Sequence, residues 1–232
     1  MNGFAIRITV DTPVVLNNLL HLDGVLGSLL VRRRKDPLQV PLREVDGVFC
    51  GSAAILETGP FGAVERRIIR VKSVREQEIP SRLFRGISAR QRMIGEMSRY
   101  RTQLRDYPAF DCIKAVWFAG DGDGQAALDL LEDIPSLGAM MPAGYGHVTG
   151  RKLFNLRQVS NPWILLEDGR PARAVPLSMW ERLGLPKHPR AIISEQRFRP
   201  PYWEGETAPC IAPVYFDLCG TLSEIRHMIG LA

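Results

Sequence analysis

The stretch Asp111-Cys112-Ile113-Lys114-Ala115-Val116-Trp117-Phe118-Ala119 constrains the fold more than any other in the chain. It is rich in β-branched and aromatic residues and poor in polar ones, the pattern of a strand at the centre of a sheet. A central strand needs a partner on each edge, so the chain must supply others. Phe4-Ala5-Ile6-Arg7-Ile8-Thr9-Val10 alternates apolar and polar residues and reads as a first strand with one buried face, closed by Pro13. Leucines at 16, 19, 20, 22, 26, 29 and 30 then predict a core helix from Leu16 to Leu30. Val48 to Glu57 and Val64 to Val71 read as two strands joined in a hairpin through Thr58-Gly59-Pro60-Phe61-Gly62.

Beyond the central strand, Gly120-Asp121-Gly122-Asp123-Gly124 leads into a helix from Gln125 to Ile134 that an aspartate can cap. His147 to Val159 reads as the last strand. Strand, helix, two strands, insertion, strand, helix, strand is the order of an α+β, ferredoxin-like (RRM-like) βαββαβ unit. The expected layout is that unit over residues 1–160, with a basic helical insertion at about 72–108, and an irregular C-terminal lobe over 161–232. The lobe is punctuated by prolines, with strands expected near Trp163 to Glu167 and Ala212 to Leu218 and a helical period from Leu218 to Ile229.

Charge is local. The 232 residues carry a net +5, yet Phe61 to Phe110 alone holds 12 Lys+Arg against 5 Asp+Glu, a net of +7, and the remainder 18 against 20. Eleven of those 12 cations are arginine, which suits phosphate forks and base stacking better than lysine does. A helical part is expected from Ser88 to Arg105, with Ile87, Ile94, Met97 and Leu104 on one face and Arg92 and Arg99 on nearly the opposite one. Arg32-Arg33-Arg34-Lys35 is a second cationic run, placed to contact phosphate or to complement a helix C-terminus.

Metal and disulfide chemistry are not indicated. The four cysteines lie far apart without a Cys-x-x-Cys, and the Asp121 to Gly124 loop lacks the distal glutamate of a calcium loop. No apolar run nears the roughly 18 residues of a membrane span, and the N-terminus lacks the layout of a secretion signal, so a cytoplasmic protein is expected.

Leu137 to Lys152 places four glycines, an aromatic, a histidine and two cations between a helix and a strand. Gly144, Tyr145, Gly146, His147, Arg151 and Lys152 together can offer amide N–H groups, a stacking face and positive charge to one anionic ligand. The alternative is a turn whose glycines serve only the backbone.

Phe118-Ala119-Gly120-Asp121-Gly122, the helix Ala126 to Ile134, Leu137-Gly138 and Gly144-Tyr145-Gly146-His147-Val148-Thr149-Gly150 resemble the glycine-rich signature of the RAMP superfamily of CRISPR proteins. Leu19-Leu20-His21-Leu22-Asp23-Gly24-Val25-Leu26 is also similar to RAMP proteins. Arg173-Ala174-Val175-Pro176-Leu177 and Arg199-Pro200-Pro201-Tyr202-Trp203 are similar to the type IV effector subunit in the position of the crRNA 5′-handle-capping protein. The resemblance implies a ferredoxin-like RNA-binding domain with a thumb, no cofactor, and crRNA as partner through its repeat-derived 5′ handle. It also implies contacts with the backbone and large subunits of a CRISPR effector complex, and with target DNA. By that resemblance Gly144, Tyr145, Gly146 and His147 meet the handle, and the thumb supplies Arg82, Arg85, Arg90, Arg92, Arg99 and Arg101. The sequence departs from many RAMP proteins at Ala139-Met140-Met141-Pro142-Ala143, which carries no cation, so Arg151, Lys152 or the thumb must supply it.

Two chemistries compete. The first is a non-catalytic subunit that grips guide RNA through amides, arginines and stacking, to which Arg197, Arg199, Tyr202 and Trp203 can add. The second is a metal-independent endoribonuclease with His147 or His21 as general base, Tyr145 as its partner and an arginine on the phosphate. The four histidines are scattered, which favours binding. A protein-only scaffold is a third reading, and predicts association insensitive to salt.

Overall fold

A computed structural model describes residues 3–72, 103–156, 162–214 and 217–231. The N-terminal part contains β1 (Gly3–Val10), β2 (Val14–Val15), α1 (Leu22–Arg32), β3 (Glu44–Val45), β4 (Val48–Phe49), β5 (Ile55–Thr58) and β6 (Val64–Lys72). There follow β7 (Gln103–Asp111), β8 (Ile113–Asp121), α2 (Gly124–Leu131) and β9 (Val148–Asn155). The last third holds β10 (Val175–Pro176), α3 (Leu177–Arg182), β11 (Ile192–Arg197), β12 (Thr207–Ala212), β13 (Cys219–Gly220) and α4 (Leu222–Met228).

The main sheet has the order β13-β5-β8-β1-β9. Its last four strands are antiparallel neighbours, and with α1 after β1 and α2 after β8 they form a ferredoxin-like βαββαβ unit. The alternation of β1 decides which face is which. Phe4, Ile6, Ile8 and Val10 share one core with Leu22, Leu26 and Leu29 of α1 and Ala127, Leu130 and Leu131 of α2. Burying each large aliphatic side chain there is worth about 1.5–3 kcal/mol. Ala5 faces the other way, into a second core with Ile55, Trp117 and, from the C-terminal segment, Leu166, Ile225, Met228 and Ile229. The sheet face that such a unit leaves open for ligands is therefore partly covered by the chain's own C-terminus, and β13 extends the sheet beside β5 as a parallel strand.

Four readings of the sequence are corrected. The helix starts at Leu22 rather than Leu16: His21 is extended (φ −83°, ψ 145°), and the preceding stretch is drawn out by bonds from the Leu16 amide to the Pro108 carbonyl and from the Ala54 amide to Leu20. Asn17 and Asn18, poor helix formers, make a bend in that non-helical stretch. Second, β5 and β6 are no hairpin. β5 is buried along its whole length and pairs with β8, whereas β6 pairs with β7 in a separate sheet, β2-β7-β6. The Gly59 to Gly62 turn lets the chain leave the main sheet there.

Third, Gln103 to Arg105, expected as the end of a helix, belong to β7, where Leu104 pairs with Val71 and Arg105 with Arg70. Cross-strand pairing overrides the helical spacing here. The central strand is likewise interrupted at Cys112, which is exposed with φ +64°, so that Asp111 ends β7 and Ile113 begins β8. Fourth, the C-terminal strands lie elsewhere. Residues 163–167 contribute only a bridge between Leu165 and Pro171, and the ordered sheet of the lobe is β10-β12-β11.

Local signals that do act as expected are the caps. Asp123 accepts a hydrogen bond from the Ala126 amide at the start of α2, and Thr221 and Glu224 form a capping box on α4. At the end of α1, Arg34 takes φ +57° and the Lys35 amide returns to the Leu30 carbonyl at 2.8 Å, closing the helix with its cations at the negative pole.

Candidate nucleic-acid interface

The glycine-rich loop is built by close backbone packing. Gly146 has φ +66°, and a Cβ there would lie 1.9 Å from the Leu137 carbonyl oxygen, so only glycine fits. Its N–H donates to the Pro13 carbonyl at 2.8 Å, and its carbonyl accepts from the Leu137 amide at 2.8 Å. Gly138 is equally confined, 2.4 Å from the Val15 carbonyl by the same measure, whereas Gly144 (φ +85°) faces open space. The loop amides are consumed internally: Gly144 donates to Met141, Gly146 to Pro13 and His147 to the Thr12 hydroxyl.

The side chains expected to act together diverge. Arg151 turns back onto α2, donating from Nε to the Leu131 carbonyl at 2.8 Å and from Nη2 to the Ile134 carbonyl, which satisfies the helix C-terminus. Lys152 is exposed, its ammonium 5.0 Å from the Phe154 ring. Tyr145 is half-buried and His147 exposed, with Nδ1 of His147 2.8 Å from the Asp11 carboxylate. Arg82, Arg85, Arg90, Arg92, Arg99 and Arg101 lie outside the described residues, as do the other thumb residues between 73 and 102. The ribbon that leads to them is described: β6 and β7 pair out to Lys72 opposite Gln103.

A buried network that the sequence did not announce ties α1 to the C-terminal lobe. Arg173 is fully buried, and it donates to the carboxylate of Asp23 (3.2 Å), the hydroxyl of Tyr202 (3.0 Å) and the carbonyls of Gly51 (2.8 Å), Phe198 (2.7 Å) and Phe49. Tyr202 in turn donates to Asp23 at 3.1 Å, and its ring stacks on His21 at 5.2 Å between centroids. Burial pushes the Asp23 carboxyl and the Tyr202 hydroxyl up, while the bonds from Arg173 pull both back. Burial works most strongly against the Arg173 charge, but Asp23 and Tyr202 together offset it, and the guanidinium stays charged. His21 is held neutral, well below the usual histidine range, by burial and then by the Arg173 charge, and its Nε2 accepts the Ala174 amide at 3.3 Å. Gly24 makes the approach feasible, since a Cβ there would sit 3.0 Å from the Tyr202 ring.

Above this network opens a cleft of about 1190 Å³. It runs between α1, the Ser136 to Met141 approach to the glycine loop, the ribbon at Arg67 and Asp106, and the β11 and β12 hairpin. Arg32 lines it, and Arg34 and Lys35 follow on the same helix end; none of the three has a carboxylate partner among the described residues, whereas Arg33 pairs with Asp133 at 2.8 Å. Arg67 is neutralised by Asp106 at 2.6 Å, and Arg197 is spent on the Gly205 and Tyr202 carbonyls at 2.9 and 2.8 Å. Of the two adjacent aromatics, Tyr202 belongs to the core and Trp203 stands 52% exposed in the cleft. Among the described residues no group of acidic, histidine or cysteine side chains is arranged to hold a metal, and no helix is long and apolar enough to cross a membrane.

No protein-family model matches the chain, and no curated protein does. Among solved structures it is similar to a chain in a cryo-EM structure of the Type III-B Cmr-beta bound to cognate target RNA. The identity is 10% and the TM-score 0.38, over 66% of this chain and 61% of that one. A likeness at that level leaves the function to be argued from the site itself.

Proposed function

We propose that this chain is a non-catalytic RNA-binding subunit of a CRISPR ribonucleoprotein, a RAMP protein that holds the repeat-derived 5′ handle of crRNA and contacts the backbone and large subunits beside it. A type IV effector complex is the finer assignment, resting on the sequence resemblance alone. The observation that carries the binding role is the cleft. It is open beside the glycine loop, it displays an arginine without a carboxylate partner among the described residues and an exposed tryptophan, and it is bordered by the ribbon β6-β7, which belongs in sequence to the chain's basic block. Cationic side chains for phosphates and an aromatic face for bases are what a single strand requires. The Arg173 network sets the floor of this cleft, so its role is positioning.

One observation favours the endoribonuclease reading as a second possibility. His147 is exposed and its Nδ1 is engaged by Asp11, the arrangement that orients an imidazole with Nε2 outward as a general base. His21, the other candidate base, is buried against Tyr202 and the Ala174 amide, and is poorly placed to take a proton from RNA. The experiment is incubation with 5′-labelled CRISPR repeat RNA in EDTA, reading both gel shift and cut products, with His147→Ala and Arg92→Ala/Arg99→Ala alongside. Intact shifted RNA, weakened by the arginine changes, supports capping. Cleavage lost in His147→Ala overturns it in favour of the ribonuclease.

A further inference from the structure

The chain has four tryptophans, and three of them, Trp117, Trp163 and Trp180, are 1%, 3% and 0% exposed. The fourth, Trp203, is 52% exposed and lines the cleft. An indole offers a large apolar face with one N–H donor, and this one stands open in a cleft beside polar side chains rather than alone on the surface. It is also held firmly. The residue before it is fixed by the Tyr202 hydroxyl on Asp23 and the Tyr202 ring on His21. The turn that follows is braced by Arg197, which bonds the carbonyls of Tyr202 and Gly205. A rigid aromatic face loses little freedom when something stacks on it.

Asn17 and Asn18 line the same cleft. Both are exposed, and neither side-chain amide has a hydrogen-bond partner among the described residues. The backbone around them is pinned at Leu16, whose amide bonds Pro108 at 3.2 Å, and at Leu20, whose carbonyl takes the Ala54 amide at 2.8 Å. Anchored asparagines that bond nothing among the described residues present a donor and an acceptor outward, which is what the edge of a nucleobase pairs with. Arg32, which has no carboxylate partner among the described residues, adds a cation on the same wall for a phosphate. The acidic lining works against a polyanion, but its three carboxylates, Glu65, Asp106 and Glu195, are matched in number by Arg32, Arg67 and Arg197, with Arg67 shared between Asp106 at 2.6 Å and Glu65 at 4.0 Å, so the lining as a whole is neutral.

We propose that the cleft is a base-reading subsite for single-stranded RNA, in which one base stacks on Trp203 and the edge of a base is recognised by Asn17 and Asn18. This rests on the RNA-binding reading above and assigns its selectivity to the cleft, whereas in the glycine loop the Gly144, Gly146 and His147 amides are already bonded within the chain.

Trp203 is also the reporter, because the other three indoles are buried. The test follows fluorescein-labelled RNA hexamers of each of the four bases by anisotropy, and tryptophan emission in the same titration. In the wild type, emission falls in step with anisotropy, and the four hexamers differ in affinity. Trp203→Phe removes the emission change. Trp203→Ala weakens binding about 5- to 150-fold, the range for one lost stacked base. Asn17→Ala/Asn18→Ala flattens the difference among hexamers while leaving emission quenching in place. All three positions are exposed, so the variants fold, which a matching denaturation midpoint verifies. Anisotropy that rises without quenching, with Trp203→Ala binding as the wild type does, overturns the subsite and leaves the RNA-binding reading standing. No anisotropy change with any hexamer or with repeat RNA at low salt overturns both.

Discussion

Removing Arg173 should cost this protein a large part of its stability. The guanidinium is fully buried, and six acceptors depend on it: one carboxylate oxygen of Asp23, the Tyr202 hydroxyl and four main-chain carbonyls. In Arg173→Met the aliphatic volume is roughly kept, but Asp23 remains in the interior with only the Tyr202 hydroxyl and the Gly24 amide. Breaking a buried pair from one side costs about 3–5 kcal/mol. A domain has about 5–15 kcal/mol in total, so the urea midpoint should fall by about a fifth or more. Asp23→Asn/Arg173→Met should recover part of that loss, because the stranded carboxylate is then gone. Urea denaturation followed by far-ultraviolet dichroism on the wild type, both single variants and the double variant closes the cycle. A loss under 1 kcal/mol in Arg173→Met, or strict additivity in the double variant, would show that the network does not tie α1 to the C-terminal lobe.

Other consequences follow from single residues. Gly146→Ala should destabilise by about 2 kcal/mol or more, because a Cβ meets the Leu137 carbonyl at 1.9 Å, while Gly144→Ala, with open space around it, should cost about 1 kcal/mol for its positive φ alone; thermal melts compare the two. His21 is neutral in the fold and its pKa is lowered by burial, so the unfolded chain binds the proton first as pH drops below 6.5. Stability should therefore decline there as the pH falls, and His21→Gln should remove that decline in urea midpoints taken between pH 7.5 and 5.5. Arg32→Ala/Arg34→Ala/Lys35→Ala should flatten the plot of log K against log salt for single-stranded RNA by about 2, near 0.7 per lost phosphate contact.

The fold was legible where local pattern and tertiary role agree. The alternation of Phe4 to Val10, the aspartate cap before Ala126 and the apolar run through Trp117 each appear as read, and together they define the ferredoxin-like unit. It was illegible where a strand's partner is remote. Ile55 to Thr58 and Val64 to Lys72 look alike as strands, and nothing local says that the first pairs with β8 and the second with β7. The same holds for Gln103 to Arg105, whose helical spacing continues through residues that pair as a strand. At the site, the confinement of Gly146 and the spending of Arg151 on α2 depend on contacts that no spacing reveals. Arg173 stood in an apolar run, Ala172 to Leu177, and a lone arginine in such a run was the available sign of a buried counter-charge at Asp23. In the sequence Tyr202 and Trp203 read alike, as aromatics that can stack bases or pack in a core beside the Pro200-Pro201 turn; the hydroxyl bond to Asp23 goes with the first being in the core.

The measurement that bears most directly on the central claim is the affinity of the purified chain for a repeat-derived 5′ handle RNA against a scrambled RNA of the same composition, across a salt series in EDTA. The account requires tighter binding of the handle, a log K that falls steeply with log salt, and RNA recovered intact. Equal affinity for both sequences, or binding that ignores salt, would contradict a subunit that grips the handle through phosphates and reads its bases.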